Sequence, residues 1–110
     1  MVDHQLITAS THLEGYRITK HLGITRGITV RSRSLLGNIG GALQSLFGGQ
    51  LSIYVELCEK TRDEAFQLML QHANDRGANA IINMRYDAND VMSGITEVLA
   101  YGTAVVVEKN

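Results

Sequence analysis

The chain has 110 residues, which is the length of a single domain with a modest hydrophobic core. Its ten basic and eleven acidic residues leave a formal net charge of −1, without the basic excess of a duplex-binding domain, so we expect no nucleic-acid partner. One cysteine, Cys58, excludes an intramolecular disulfide and a Cys₄ or Cys₂His₂ zinc site. Without a signal-peptide pattern or an apolar run of the ~20 residues that span a bilayer, we expect a cytoplasmic protein.

The first third of the chain has the alternating pattern of β-strands. Hydrophobic and polar residues alternate twice through "YRITKHLGITRGITVRS", and Gly23 and Gly27 interrupt that pattern. A glycine inside a strand pattern indicates a turn, a bulge or a close backbone approach. The period leaves two alternatives open, a hairpin and one long bent strand.

A glycine-rich stretch, "LLGNIGGALQSLFGG", follows at Leu35–Gly49 and contains five glycines and no charge. It lacks the Gly-Lys pair of a P-loop, so it does not predict a phosphate-binding loop. It also lacks the Lys and Arg residues of a helix that lies on a membrane surface. We interpret it as a short connecting helix whose glycines allow close packing against a neighbouring element.

The clearest element is a helix of up to ~27 residues from Gln50 to Arg76, ended by Gly77. Residues spaced by three and four form one face, which we expect to contact the core. They are Tyr54, Cys58, Thr61, Ala65, Leu68, Met69, and His72 or Ala73.

Two strands follow the helix, "ANAIINMRYD" and "ITEVLAYGTAVVVE", the second at Ile95–Glu108. The second strand is apolar on both faces, whereas the helices can cover only one face of a sheet. We therefore predict one α+β domain over residues 1–110, a two-layer sandwich of a small antiparallel sheet and one long helix. The other sheet face is then covered by a second copy of the chain, or the sheet curls into a half-barrel.

Polar residues form the first candidate site. Three lie on the first strand and three on the strand after the helix, and together they would make one polar patch if the two strands paired. They are Arg17, Thr19 and His21, with Asn83, Arg85 and Asp87. Between subunits such a patch could bind an anion, a metal or a small cofactor; the alternative is a solvated sheet face with ordinary ion pairs.

Metal binding is the second candidate activity. Cys58 and His72 lie ~21 Å apart along the helix, so they cannot bind one ion within a subunit. A site would need Cys58 with His21 or His72 of other subunits, and thiolate and imidazole suit zinc or copper. The alternative is that Cys58 is an inert core thiol. No local signature such as G-x-S-x-G accompanies a nucleophile, so the sequence favours a binding protein over an enzyme.

Several motifs, in this order, resemble the YbjQ-like family, which is named for heavy-metal binding. They are "GITRGITVRS", "FGG", "YVELCEKTRDEAFQLMLQHA", "RGANAIINMRYD" and "YGTAVVVE", and the resemblance extends from about Leu13 to Glu108. It implies a dodecin-like subunit assembled as a homopentameric ring, and a bound transition metal. Three hypotheses follow: a binding or scaffold ring, a metal binder, and a small-ligand protein or enzyme that uses the polar patch.

Overall fold

The structure, a computed structural model, describes residues 2–32, 50–92 and 95–110; the glycine-rich connecting helix predicted at 35–49 lies outside these residues. Side chains are described for residues 2–31, 55–92 and 95–110. The elements confirm a small α+β fold with one long helix and three strands. In chain order they are a short 3₁₀ helix His4–Leu6, then β1 (Tyr16–Ser32), α1 (Gln50–Asp75), β2 (Ala80–Met92) and β3 (Ile95–Lys109).

The three strands form one antiparallel sheet in the order β1-β3-β2. The first third of the chain is thus a single long strand and not a hairpin. Its register shifts twice, between Ile18 and Lys20 and again between His21 and Gly23. Gly23 has a φ of 93°, which a residue with a side chain rarely adopts, so glycine permits the second irregularity.

The C-terminus of α1 agrees with the predicted glycine stop. Gly77 has a φ of 85°, and its amide donates to the Asn74 carbonyl at 3.0 Å. The Ala78 amide donates to the Ala73 carbonyl at 3.1 Å. These two bonds form a Schellman motif, which satisfies helix carbonyls that have no partner inside the helix.

The helix lies very close to the sheet because small residues line the contact. Four residues of the predicted face are buried, namely Thr61, Ala65, Met69 and Ala73. Under them, Gly27 of β1 leaves no room for a side chain, since a Cβ there would overlap the Ala65 carbonyl oxygen and the Met69 amide nitrogen. Close packing of this kind is sensitive to one added methyl group.

The predicted helix face was wrong at Leu68, which is 45% exposed, whereas Leu70 is only 8% exposed. Neighbouring helix positions differ by about 100° around the axis, so residues 68 and 70 lie on opposite sides of Met69. The core contacts Met69 from the Leu70 side. Hydrophobicity alone made the two leucines equivalent.

The N-terminal segment supplies a second cover that the sequence did not predict. Leu6 and Leu13 pack on the sheet face opposite α1, against a buried cluster that includes Val105 and Val107. The segment is attached to the edge of β2, where Ile7 pairs with Ile81 and the Thr8 amide donates to the Ile81 carbonyl at 3.0 Å. One end of the two-sided β3 is therefore buried within the subunit. Over the described ranges, no helix is long and apolar enough to cross a bilayer.

Candidate functional site

Between Ile24 and Val30, β1 presents two threonines and a glycine to the helix, whereas three of its four outward residues are apolar. Thr25 and Thr29 are buried under α1, where their hydroxyls donate to the carbonyls of Met69 at 2.8 Å and Thr61 at 3.3 Å. Because side chains alternate along a strand, the residues between them lie on the opposite face. Buried threonines thus bind helix carbonyls, and the hydrophobic residues of the same strand are left without this cover.

We call the sheet face away from the helix, around β1, the open face. Its β1 residues remain exposed in the subunit: Ile24 at 65%, Ile28 at 43% and Val30 at 51%. Ile28 pairs with Leu99 of β3, which is half-buried. Arg26 is exposed on the same face, between Ile24 and Ile28. An exposed apolar cluster of this kind is typical of a contact with another molecule.

A cavity of about 350 Å³, which we call the Tyr86 cavity, lies between α1 and the outer strand β2. Four helix residues spaced by three and four contribute to it, and the strand contributes one aromatic ring. The lining residues are Glu59, Arg62, Asp63, Phe66 and Tyr86. These five residues were not predicted as a site, although the helical spacing of the four helix residues was a usable signal.

Charges in the Tyr86 cavity act on the phenol of Tyr86. The Arg62 guanidinium carbon lies 5.6 Å from the centre of the Tyr86 ring, within range of a cation–π contact. Partial burial raises the pKa of Tyr86; the Arg62 charge opposes this rise, and the charges of Asp63 and Glu59 add to it. One cation and two carboxylates therefore surround a single aromatic ring.

A second cavity, of about 260 Å³, contains Cys58 and shares Arg62 with the first. We call it the Cys58 cavity. Its lining residues come from the helix and from all three strands: Arg31, Cys58, Thr61, Arg62, Ala88, Thr96 and Val98. Cys58 is half-buried, so its thiol borders a groove and is not sealed in the core. The cavity forms because small side chains, Ala88 and Thr96, lie under this part of the helix.

The predicted polar patch is not formed within one subunit, because β3 separates β1 from β2. Arg17 pairs with Glu108 in register and in an ion pair of 2.8 Å, whereas Arg85 lies opposite Tyr101. Those two β3 positions are seven residues apart, which is about 23 Å along a strand. The Thr19 hydroxyl donates to the Val106 carbonyl at 3.2 Å. These residues can form one site only between copies of the chain.

Bulges also separate residues within each half of the predicted patch. Arg17 lies opposite Glu108 and His21 opposite Val105, an odd separation that places them on different faces of the sheet. The register shift between Ile82 and Arg85 contains Asn83, whose φ is 54°, so Asn83 leaves the alternation.

Arg85 and Asp87 do share the face opposite the helix, as the alternation predicts. Arg85 donates to the Ala9 carbonyl at 2.6 Å, and thus fastens the N-terminal segment to β2. The Asp87 carboxylate accepts from the Ala88 amide at 3.0 Å and from the Asn89 side chain at 3.1 Å. Both polar groups therefore have local structural partners.

The proposed metal ligands also lie apart within the subunit. His72 accepts a hydrogen bond from the Arg26 backbone amide at 3.3 Å, so its ring is bonded to the edge of β1. His21 is exposed on the opposite face from the helix, and Cys58 lies between α1 and the sheet, near Arg31 and Arg62. Among the described residues, no three His, Cys, Asp or Glu side chains come together in a way that could hold a metal ion. The described part of one subunit therefore offers no complete ligand set for a heavy metal.

The sequence matches a known protein family over almost its full length. Residues 5–108 match the sequence model of YbjQ, a family described as "Putative heavy-metal-binding". The chain belongs to the YbjQ family. It is 58% identical to a UPF0145 protein of Solibacter usitatus over 107 residues, which cover 97% of this chain and 96% of that protein. It is 56% identical to a UPF0145 protein of Chromobacterium violaceum over 108 residues, 98% and 92% of the two chains.

A solved structure with the same fold comes from the DUF74 family. It is the crystal structure of a protein from Pediococcus pentosaceus, and it superposes with a TM-score of 0.59. The match covers 93% of this chain and 96% of the other, at 19% sequence identity. At that identity the likeness supports the fold of this YbjQ-family chain.

Proposed function

We propose that this YbjQ-family protein is a homo-oligomeric binding or scaffold protein, assembled through its open face. The observation that carries the proposal is the exposure of Ile24, Ile28 and Val30 on a regular strand. Exposed apolar side chains cost free energy in water, and a second copy of the same chain can remove them from it. The face of β1 that packs on the helix is occupied by Thr25 and Thr29, whose hydroxyls bind helix carbonyls. The apolar residues on the other face of β1 are therefore not buried by this helix.

The finer features of the assembly come from the resemblance to the family. They are a dodecin-like subunit, a ring of five copies and a cytoplasmic location. A ring requires a head-to-tail interface, in which the open face of one copy contacts a different surface of the next. Val105 is 0% exposed within its own subunit, so the contact would involve the half of the sheet that contains Ile24, Ile28 and Val30 and not the half that contains Val105.

Native mass spectrometry of the wild type and two lysine variants tests the proposal. Ile28→Lys alters the open face, and Leu68→Lys is a matched control on α1, because the two side chains are 43% and 45% exposed. We expect the wild type and L68K to form the same oligomer and I28K to give folded monomers. An oligomer of unchanged size in I28K would show that the open face is not the interface, and a monomeric wild type would contradict the whole proposal.

Heavy-metal binding is the second candidate function, and it is favoured by the accessible position of Cys58 in its cavity. Because one subunit has no complete ligand set among its described residues, the ion would bind between subunits, with Cys58 of one copy and His21 or His72 of others. Zinc or copper suits such ligands. The assembled protein, incubated with zinc and desalted, should retain metal in fixed ratio to subunits, and Cys58→Ser should lose it. Equal retention by C58S would exclude Cys58 as a ligand.

The polar residues of the sheet remain a third candidate site, for an anion or small ligand between subunits. It would combine Arg17 and His21 of one copy with Arg85 and Asp87 of another. The local partners of Arg17 and Arg85 make this site the least supported of the three. A ligand retained in the native mass spectrum of the wild type and lost on Arg85→Gln would support it.

A further inference from the structure

The Tyr86 cavity has the composition of a site for an organic cation. Tyr86 provides the face of an aromatic ring, and the Arg62 guanidinium already lies over it at 5.6 Å. Phe66 lines the same cavity. The His4 ring contacts the Phe66 ring edge to face, with the centroids 5.7 Å apart. Aromatic faces attract cations because the π electrons carry negative charge density.

Two carboxylates at this cavity have no cationic partner among the described residues. The ion pairs in the described part of the chain are Arg17–Glu108 and Arg31–Glu64. Neither pair includes Glu59 or Asp63. The hydrogen bond recorded for Asp63 comes from the Gln67 side chain at a long 3.4 Å. With Arg62 counted, the lining carries one more negative than positive charge.

Arg62 itself can leave the Tyr86 ring without entering the core. Its side chain also lines the Cys58 cavity. A long side chain on an exposed helix surface changes rotamer at low cost. Arg62 therefore lies between the two cavities, with its guanidinium over the Tyr86 ring.

We propose that the Tyr86 cavity binds a small guanidinium or alkylammonium compound, for which Arg62 is the resident substitute. The ligand cation takes the position over the Tyr86 ring, and Glu59 and Asp63 supply the opposite charge. Arg62 then turns toward the Cys58 cavity. This site lies on the helix side of the sheet, on the face opposite the open face.

Arg62 competes with the ligand in this arrangement, which yields a specific prediction. Arg62→Gln removes the competing cation and leaves the cavity one unit more negative. An exposed cation–π contact of ordinary strength corresponds to about a two- to five-fold change in affinity. R62Q should therefore bind the guanidinium or alkylammonium ligand at least about two-fold more tightly than the wild type does.

The test is a titration of protein labelled with ¹³C-tyrosine, followed by nuclear magnetic resonance. The chain has four tyrosines, and a Tyr86→Leu variant identifies the Tyr86 ring signal by its absence. Methylguanidinium and tetramethylammonium are the probes, which distinguish a stacked guanidinium from an alkylammonium. N-methylurea is the control, because it is nearly isosteric with methylguanidinium and uncharged. The unchanged spectrum of the other tyrosines confirms that R62Q is folded.

We expect either cation to shift the Tyr86 signal to saturation, N-methylurea to leave it unchanged, and R62Q to bind more tightly. No saturable shift, an equal response to N-methylurea, or unchanged or weaker binding by R62Q would overturn the proposal. A Tyr86 shift caused by inorganic phosphate and lost in R62Q would also overturn it, since Arg62 would then be the ligand of an anion.

Discussion

Gly27→Ala tests how the closest approach between α1 and β1 is maintained. The added methyl group would overlap backbone atoms of Ala65 and Met69, which cannot move away by changing a rotamer. Overpacking of a core costs about 1–3 kcal/mol, and a rigid backbone contact belongs at the upper end of that range. The loss of unfolded-state freedom on replacing glycine returns about 0.4–1 kcal/mol. We therefore expect a net loss of about 2–3 kcal/mol, or roughly 10 °C in Tm.

Chemical and thermal denaturation, at one protein concentration, measure this loss, because association changes the apparent stability. Gly15→Ala is the matched control. Gly15 has a φ of +83°, and no atom lies within 4 Å of the position that a Cβ would take there, so its substitution adds backbone strain without a collision. That strain costs about 1–2 kcal/mol. If G27A were as stable as the wild type, or less affected than G15A, the close contact of helix and strand would be refuted.

Three substitutions and one chemical modification test the packing and the two cavities. Thr25→Val removes the hydroxyl that donates to the Met69 carbonyl at 2.8 Å, and it should lower the free energy of unfolding by about 1 kcal/mol in urea denaturation; no loss would mean that this bond contributes nothing. Because the pKa of Tyr86 is raised in the folded state, stability conferred by its neutral phenol is present below pH ~10 and is lost as the pH rises through the folded-state pKa. Stability measured as a function of pH should therefore fall less steeply in Tyr86→Phe than in the wild type, and identical slopes would contradict the raised pKa. Arg62→Gln should raise the pKa of Tyr86 further in an ultraviolet titration, whereas a lowered pKa would show that Arg62 does not act on the phenol. The Cys58 thiol should react with a thiol reagent in the native protein, and complete protection would place it in the core.

Periodicity predicted the long helix and its end because both depend on local sequence. The three- and four-residue spacing of Thr61, Ala65, Met69 and Ala73 reappears as the buried face of α1. Gly77 ends the helix through a left-handed backbone conformation, which glycine adopts without steric cost. The two later strands also form where their alternation predicts them, although β2 leaves the alternation at Asn83.

Features that depend on contacts distant in sequence were not predictable in the same way. Whether Thr25 or Ile24 faces the helix is decided by the fit of threonine hydroxyls to helix carbonyls across 44 residues of sequence. Alternation gives two faces and cannot say which is buried. The cover of Val105 by Leu6 and Leu13 depends on the N-terminal segment, which has no periodic pattern.

The candidate sites failed to assemble within a subunit for a topological reason. Arg17 and Arg85 belong to strands that lie on either side of β3, and strand order cannot be read from the strands themselves. Bulges then moved His21 and Asn83 out of the expected alternation. The sequence left open whether the Cys58 thiol is buried in the core or accessible. Cys58 lies on the predicted core face of the helix, but the small residues Ala88 and Thr96 leave a cavity beside it.

The most direct test of the central proposal is the mass of the purified wild-type protein in native mass spectrometry. We predict an oligomer, and for a pentameric ring a mass five times that of the 12.1 kDa chain. A bare monomer at every accessible concentration would show that Ile24, Ile28 and Val30 stay in water, and would contradict the assembly through the open face.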